Sequence, residues 1–178
     1  HFRRKEKPYA SKKKSYTRYF DSSIHDRGEI ANQRGRLGDY EGDTVYGSVG
    51  KGYLITGVDR QSRLTVAAIA RDKTIESTNT AFIAAFRKAK LVPPITLTLD
   101  NGTEFLGFKD LEQALGTKVY FADAHAPWQR GSNENINGLI RFFFPRGTDF
   151  TKVTDEQLDA VLELINNRPR KCLGYLSP

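Results

Sequence analysis

The 178-residue sequence contains no methionine, one cysteine (Cys172) and one tryptophan (Trp128). A lone cysteine excludes a disulfide within the chain, and with it the class of small secreted domains stapled by several bridges. It fits a reducing compartment. Long apolar runs are missing too: none approaches the ~20 residues that a membrane-spanning helix requires. The basic start is followed by no apolar stretch, so it does not read as a secretory signal. With His1 first and no methionine, the expectation is a piece of a longer protein. What is present is ordinary for a soluble globular domain: 38% hydrophobic and 28% charged residues. A chain of this length can bury a core without disulfide or metal staples.

The net charge of +7 is unevenly placed. Residues 1–20 hold eight Lys or Arg against one acid, Glu6, while the remaining residues balance at 20 basic and 20 acidic side chains. The whole excess therefore sits in an N-terminal arm. Such an arm attracts a polyanion through counterion release, whatever the polyanion's sequence. It is equally compatible with a solvated tail that keeps the protein soluble.

Residues 1–36 show no sustained apolar period and read as this basic arm or linker, with a short helix near 24–34. A compact domain is expected over 37–178. Residues 52–59 (GYLITGVD) and 64–70 (LTVAAIA) are β-branched runs joined by a turn-like RQSR, hence a hairpin. Residues 39–45 supply a strand beside it. Apolar residues at 75, 82, 83, 86 and 89 fit one helical face, and Pro93-Pro94 ends that segment. ITLTL at 95–99 reads as a buried strand, 109–115 as a short helix and 118–121 as a fifth strand. After a loop at 124–131, Ser132 or Asn133 is the expected N-cap of a helix whose stripe is Ile136, Leu139, Ile140 and Phe143. A last helix starts at Thr154, with Gln157 completing a capping box. Its stripe is Leu158, Val161, Leu162 and Ile165, and Arg168-Pro169 ends it. The order predicts an α/β domain with a mixed five-stranded sheet flanked by helices. A ribonuclease-H-like fold has this order, although the order alone does not select it.

Three acidic positions stand out. Asp43 lies within a predicted strand, where Asp is disfavoured. Asp100 directly follows ITLTL, and ligands of open α/β sheets collect at strand ends. Glu134 opens a helix but lies about 200° around the axis from Ile136, off the apolar stripe. Each has a plainer explanation: Asp43 as an edge charge, Asp100 as a turn residue before Asn101-Gly102, Glu134 as a favourable charge at a helix start. Alternation also places Asp39, Glu41 and Asp43 on one strand face, so spacing does not choose among them. If three carboxylates do converge, their repulsion calls for a cation. Mg²⁺ is a hard ion that takes oxygen ligands. Two such ions can activate an attacking oxygen and stabilise a leaving oxygen at phosphorus.

The segments GDYEGDT, LDNGTEF and PWQRGSNENINGLIR, followed by NNRPRKCLGYLSP, resemble the IS-thirty family of bacterial insertion-sequence transposases over roughly residues 37–178. The resemblance implies a ribonuclease-H-like fold with an Asp-Asp-Glu triad, matching Asp43, Asp100 and Glu134. The 33 residues between Asp100 and Glu134 agree with the family's spacing. Two departures are Tyr40, in place of the usual Trp before Glu41, and Ala124-His125-Ala126, in place of a Pro-containing stretch.

The implied function is metal-dependent DNA cleavage and strand transfer at the ends of an insertion sequence, with the triad holding Mg²⁺ or Mn²⁺, two ions in all. Water cuts the DNA to expose a 3′-OH, which then attacks a target phosphodiester at the same site. Arg130, Asn133, Asn137 and Arg141 surround Glu134 and are candidate DNA contacts. Trp128 is a candidate for stacking on a frayed base, or for packing under its own loop. Arg168, Arg170 and Lys171 form a basic cluster suited to DNA backbone. The partners expected are the element's terminal repeats, target DNA and further copies of the chain, in the bacterial cytoplasm at the nucleoid, with no membrane. Two rival readings are a nuclease of the same fold that only hydrolyses, and a transposase-derived DNA-binding protein without chemistry.

Overall fold

The computed structural model describes residues 22–89 and 92–178. The basic stretch 1–20 lies outside the described residues. Five strands form one sheet: β1 (Asp39–Tyr46), β2 (Tyr53–Asp59), β3 (Thr65–Ala70), β4 (Thr96–Leu99) and β5 (Lys118–Phe121), in the order β3-β2-β1-β4-β5. The first three make an antiparallel meander, and β4 and β5 add in parallel on the other side of β1. Asp59 closes the β2–β3 hairpin. Its carboxylate accepts the N–H groups of Gln61 and Ser62, and Arg63 takes a left-handed conformation, φ 68°. Asp59 is thus a turn residue.

The helices are α1 (Glu29–Asn32), α2 (Ile75–Ala89), α3 (Phe108–Leu115), α4 (Gly131–Phe143) and α5 (Asp155–Asn166). One sheet face packs on α2 and α3 through Tyr40, Ile55, Phe82, Phe86, Leu97 and Leu111. The other packs on α4 and α5 through Val45, Leu54, Val58, Ile136, Ile140 and Leu158. With both faces covered, β2 is buried at every position, which explains its continuous rather than alternating apolar run. Gly42, between Glu41 and Asp43, is required by close packing. A Cβ there would lie 2.5 Å from Leu99 Cδ2.

The capping box at Thr154 and Gln157 forms as expected. Three local expectations differ. The buried face of α2 runs through Thr78, Asn79, Ala81, Phe82, Ala85 and Phe86, leaving Ile75 exposed at the first turn. Helix α4 begins at Gly131 with neither Ser132 nor Asn133 as N-cap. A 3-10 turn at Pro127–Arg130 leads straight into it, and its acceptor comes from another element. Residues 22–36, read from sequence with the arm, lie against the sheet. Ser23 bridges to Phe121, Ile24 and Ala31 are buried, and Arg27 donates to Thr98 Oγ1 at 2.8 Å. Burial and the neighbouring Arg60 lower the Arg27 guanidinium to about 10.

Candidate active site

The parallel register pairs Glu41 of β1 with Thr98 of β4. Two residues further on, the same register brings Asp43 beside Asp100, just past the end of β4. A strand and the end of its neighbour thus deliver two carboxylates to one place on one sheet face. Between them lies Arg130, from the turn before α4. Its Nη1 stands 3.3 Å from Asp43 Oδ1 and its Nη2 3.2 Å from Asp100 Oδ2. Asp43 also accepts the Thr44 N–H and, at 2.7 Å, the amide of Asn137. Asp100 accepts the Gly102 N–H. Burial pushes the Asp100 carboxyl up, opposed by Arg130 and that N–H and reinforced by Asp43.

Glu134 stands apart from this pair. It is exposed on the first turn of α4 and makes no ion pair among the described residues. It sits three residues before Asn137, so the two share the helix face that reaches Asp43. Among the described residues, no three His, Cys, Asp or Glu side chains are close enough together to hold a metal ion. The fit to a cation rests instead on Arg130, whose guanidinium occupies the space a cation bound by Asp43 and Asp100 would take. Two oxygen donors already share one positive charge there, which suits a hard divalent ion.

The three acids of β1 have separate fates. Asp39 is buried against Arg36 and the Thr96 hydroxyl. Glu41 is fully buried and ion-paired to Arg60. It also accepts the N–H groups of Ser132 and Asn133 at 2.9 and 3.2 Å, and so is the missing cap of α4. Only Asp43 faces Asp100.

The remaining candidates scatter. Trp128 is 75% exposed beside the site. An open cleft of about 460 Å³ runs from Asp100 and Asn101 past His125 to Arg130. Asn133 is buried, and its side-chain amide finds no hydrogen-bond partner among the described residues. Arg141 is partly buried with Nη1 unpartnered, and burial together with Arg146 lowers its guanidinium. Arg168 and Lys171 are exposed, whereas Arg170 turns inward, its Nη2 donating to the Ile165 carbonyl.

Residues 34–127, more than half of the chain, match the family described as Integrase core domain. The chain belongs to that family. Asp43 and Asp100 lie inside the matched stretch and Glu134 beyond it. Membership implies a divalent-metal-dependent catalytic core without naming the ion or its ligands. This integrase core is 42% identical over 156 residues to the transposase for insertion sequence element IS4351 of Bacteroides fragilis, covering 87% of this chain and 47% of that protein. It is 41% identical over 155 residues to transposase InsI for insertion sequence element IS30A of Escherichia coli, covering 87% and 40%. The chain therefore spans less than half the length of these relatives. Among solved structures, it is similar to a chain of a simian T-cell lymphotropic virus intasome in complex with PP2A regulatory subunit B56 gamma. The TM-score is 0.56 at 21% identity, covering 71% of this chain and 47% of that one. That likeness concerns the fold alone, the ribonuclease-H-like sheet between helices. No helix among the described residues is long and apolar enough to cross a membrane.

Sequence reading of this integrase core missed Glu104. The 3-10 turn at Thr103–Phe105 folds it back, buried, to accept from Tyr46 Oη at 2.8 Å, with Lys73 Nζ at 3.3 Å. Burial alone would raise its carboxyl, but its own backbone N–H, Tyr46 and Lys73 together hold it below the usual Glu range. Gly102 is required here by proximity. A Cβ would lie 2.6 Å from Glu104 Oε2 and 3.0 Å from Asp100 Oδ1. The available signal was the position of Glu104 inside LDNGTEF, four residues after Asp100.

Proposed function

We propose that this chain is the catalytic core of a transposase that cuts and joins DNA at the ends of an insertion sequence. The observation that carries this reading is the convergence of Asp43 and Asp100, from adjacent parallel strands, on a single positive charge. Its relatives are named transposases. Asp43 and Asp100 would hold Mg²⁺ or Mn²⁺, two ions in all, with Glu134 completing one coordination sphere. When bound, the ions supply Lewis-acid activation of the attacking oxygen and charge neutralisation at phosphorus.

In the first step a water oxygen attacks the phosphorus at the element's end. The P–O3′ bond breaks, leaving a 3′-OH on the element and a 5′-phosphate on the flank. In the second, that 3′-OH attacks a target phosphorus, forming a new P–O bond and releasing the target's own 3′-OH. Asn137 orients Asp43 through its amide. Arg130 swings from the carboxylates to a phosphate oxygen. Arg141 contacts the backbone further along α4, whereas Asn133, a candidate DNA contact from sequence, is buried and not placed to reach it. Trp128 offers a face on which a frayed base stacks. Arg168 and Lys171, both exposed, meet DNA backbone, while Arg170 turns inward. Two element ends held together call for a multimer on DNA. The setting that goes with this reading is the cytoplasm, at the nucleoid.

The test is a Mg²⁺- or Mn²⁺-dependent cleavage and joining assay on DNA bearing the element's ends, with the full-length protein beside its Asp43→Asn, Asp100→Asn and Glu134→Gln variants. Each variant is expected to bind DNA and form no joined product. Intact cleavage and joining in all three would sink the mechanism. Cleavage without joining by the parent favours a hydrolytic nuclease, and binding without either a DNA-binding protein.

A further inference from the structure

The first turn of α4 has a second face. Ser132, Asn135 and Ile136 point about 100–160° around the helix axis from Glu134 and Asn137. There they line a cavity of about 200 Å³, closed by Arg34, Arg63 and Arg170. Three arginines thus line one small space. None of them is ion-paired with a carboxylate among the described residues. Nor does the cavity lining contain any acidic side chain.

Several features suit this place to an anion. Arg63 donates one N–H to Ser132 Oγ and Arg170 one to the Ile165 carbonyl at 2.7 Å, which leaves most of their donors unused. The Arg170 Nε is buried with no hydrogen-bond partner among the described residues. A buried unmatched donor on a charged group is costly. Burial and like charge lower both Arg34, through Arg63 and Arg60 and opposed by Glu41, and Arg170, through Arg168. Arg34 and Arg63 both hold left-handed backbone, φ 57° and 68°, a conformation that costs free energy in a non-glycine residue and collects at ligand sites.

We infer that Arg34, Arg63 and Arg170 form a phosphate seat, which holds one backbone phosphate of bound DNA on the opposite side of α4 from the carboxylates. This rests on the DNA-joining reading above and adds to it a defined contact. Arg34 and Arg63 come from segments more than 100 residues away from Arg170, so only the fold assembles them. The cavity has room for a single phosphate group and not for a base pair. Helix α4 would then be held between two DNA contacts, with Arg130 and Glu134 on one face and the arginine seat on the other.

The experiment measures duplex DNA binding by the full chain, by fluorescence anisotropy in EDTA over a range of salt concentrations. EDTA separates this readout from chemistry at the carboxylates. The parent is compared with Arg34→Asn, Arg170→Gln and a surface-charge control, Lys109→Gln on α3. Asn tolerates the left-handed backbone at position 34, so that variant keeps the test valid should Arg170→Gln fold poorly. Each arginine variant is expected to weaken binding about tenfold. Each should also lower the slope of log K against log salt by about one, while Lys109→Gln changes neither. Equal affinities and slopes in all four proteins overturn the seat. Inorganic phosphate that raises the melting temperature of the parent but not of the arginine variants, with DNA binding unchanged in all, assigns the cavity to a free anion and overturns its DNA role. A parent that binds no DNA overturns the transposase reading and the DNA role of the seat together.

Discussion

Asp39, Glu41 and Asp43 share one face of β1, yet each meets a different cation: Arg36, Arg60 and Arg130. Their different surroundings decide their work. Asp39 and Glu41 are buried and saturated by protein donors, while Asp43 is partly exposed and shares Arg130 with Asp100. On the proposed reading, Arg130 competes with a metal for Asp43 and Asp100. Removing it should tighten Mn²⁺ binding and weaken DNA binding in the same protein. Arg130→Gln, measured by electron paramagnetic resonance of free Mn²⁺ and separately by DNA anisotropy, is expected to move the two in opposite directions, each severalfold. Weaker Mn²⁺ binding would show that Arg130 supports the carboxylates rather than standing in for the ion. Strand periodicity could not rank the three acids, because period-two alternation presents them identically; the motif resemblance singled out Asp43.

At the scale of elements, the link between β1 and α4 matters most. The sheet carries Asp43 and Asp100 and the helix carries Glu134, so their alignment depends on what docks one on the other. Glu41 does this from inside the protein, accepting two N–H groups of the first turn of α4 while paired to Arg60. Such a carboxylate takes the place of the side-chain N-cap that local sequence suggested. Glu41→Ala leaves Arg60 buried without its partner and the helix start uncapped. We expect a loss of about 3–5 kcal/mol in urea unfolding. Glu41→Gln, which keeps an acceptor, should lose less, and a loss no larger for Ala than for Gln would argue against the docking role. Elements with a strong local pattern were legible: the hairpin, ITLTL and the capping box at Thr154 all appear where the sequence put them. The N-terminus of α4 was not legible, because its cap lies 91 residues away.

At the scale of the whole molecule, charge is divided between residues 1–20 and a neutral remainder. Residues 1–20 hold the entire excess, and within the balanced remainder the fold concentrates arginines around α4. Deleting residues 1–20 should weaken DNA binding whatever the DNA sequence, and lower the salt slope by about 0.9 for each phosphate the arm neutralises. Unchanged affinity and slope in anisotropy titrations would assign the arm to solubility alone. Sequence by itself determined the α/β order, the strands and helices with clear periodicity, and, through its motif segments, the family. These depend on local patterning and on residue types that can be read one position at a time. Tertiary structure decided which acid of β1 faces Asp100, what caps α4, and how residues 22–36 join the sheet. It also decided that three distant arginines share one cavity. Each of those depends on strand register or on contacts between segments far apart in the chain, and a register that shifts by one residue exchanges every side chain between the two faces of a sheet.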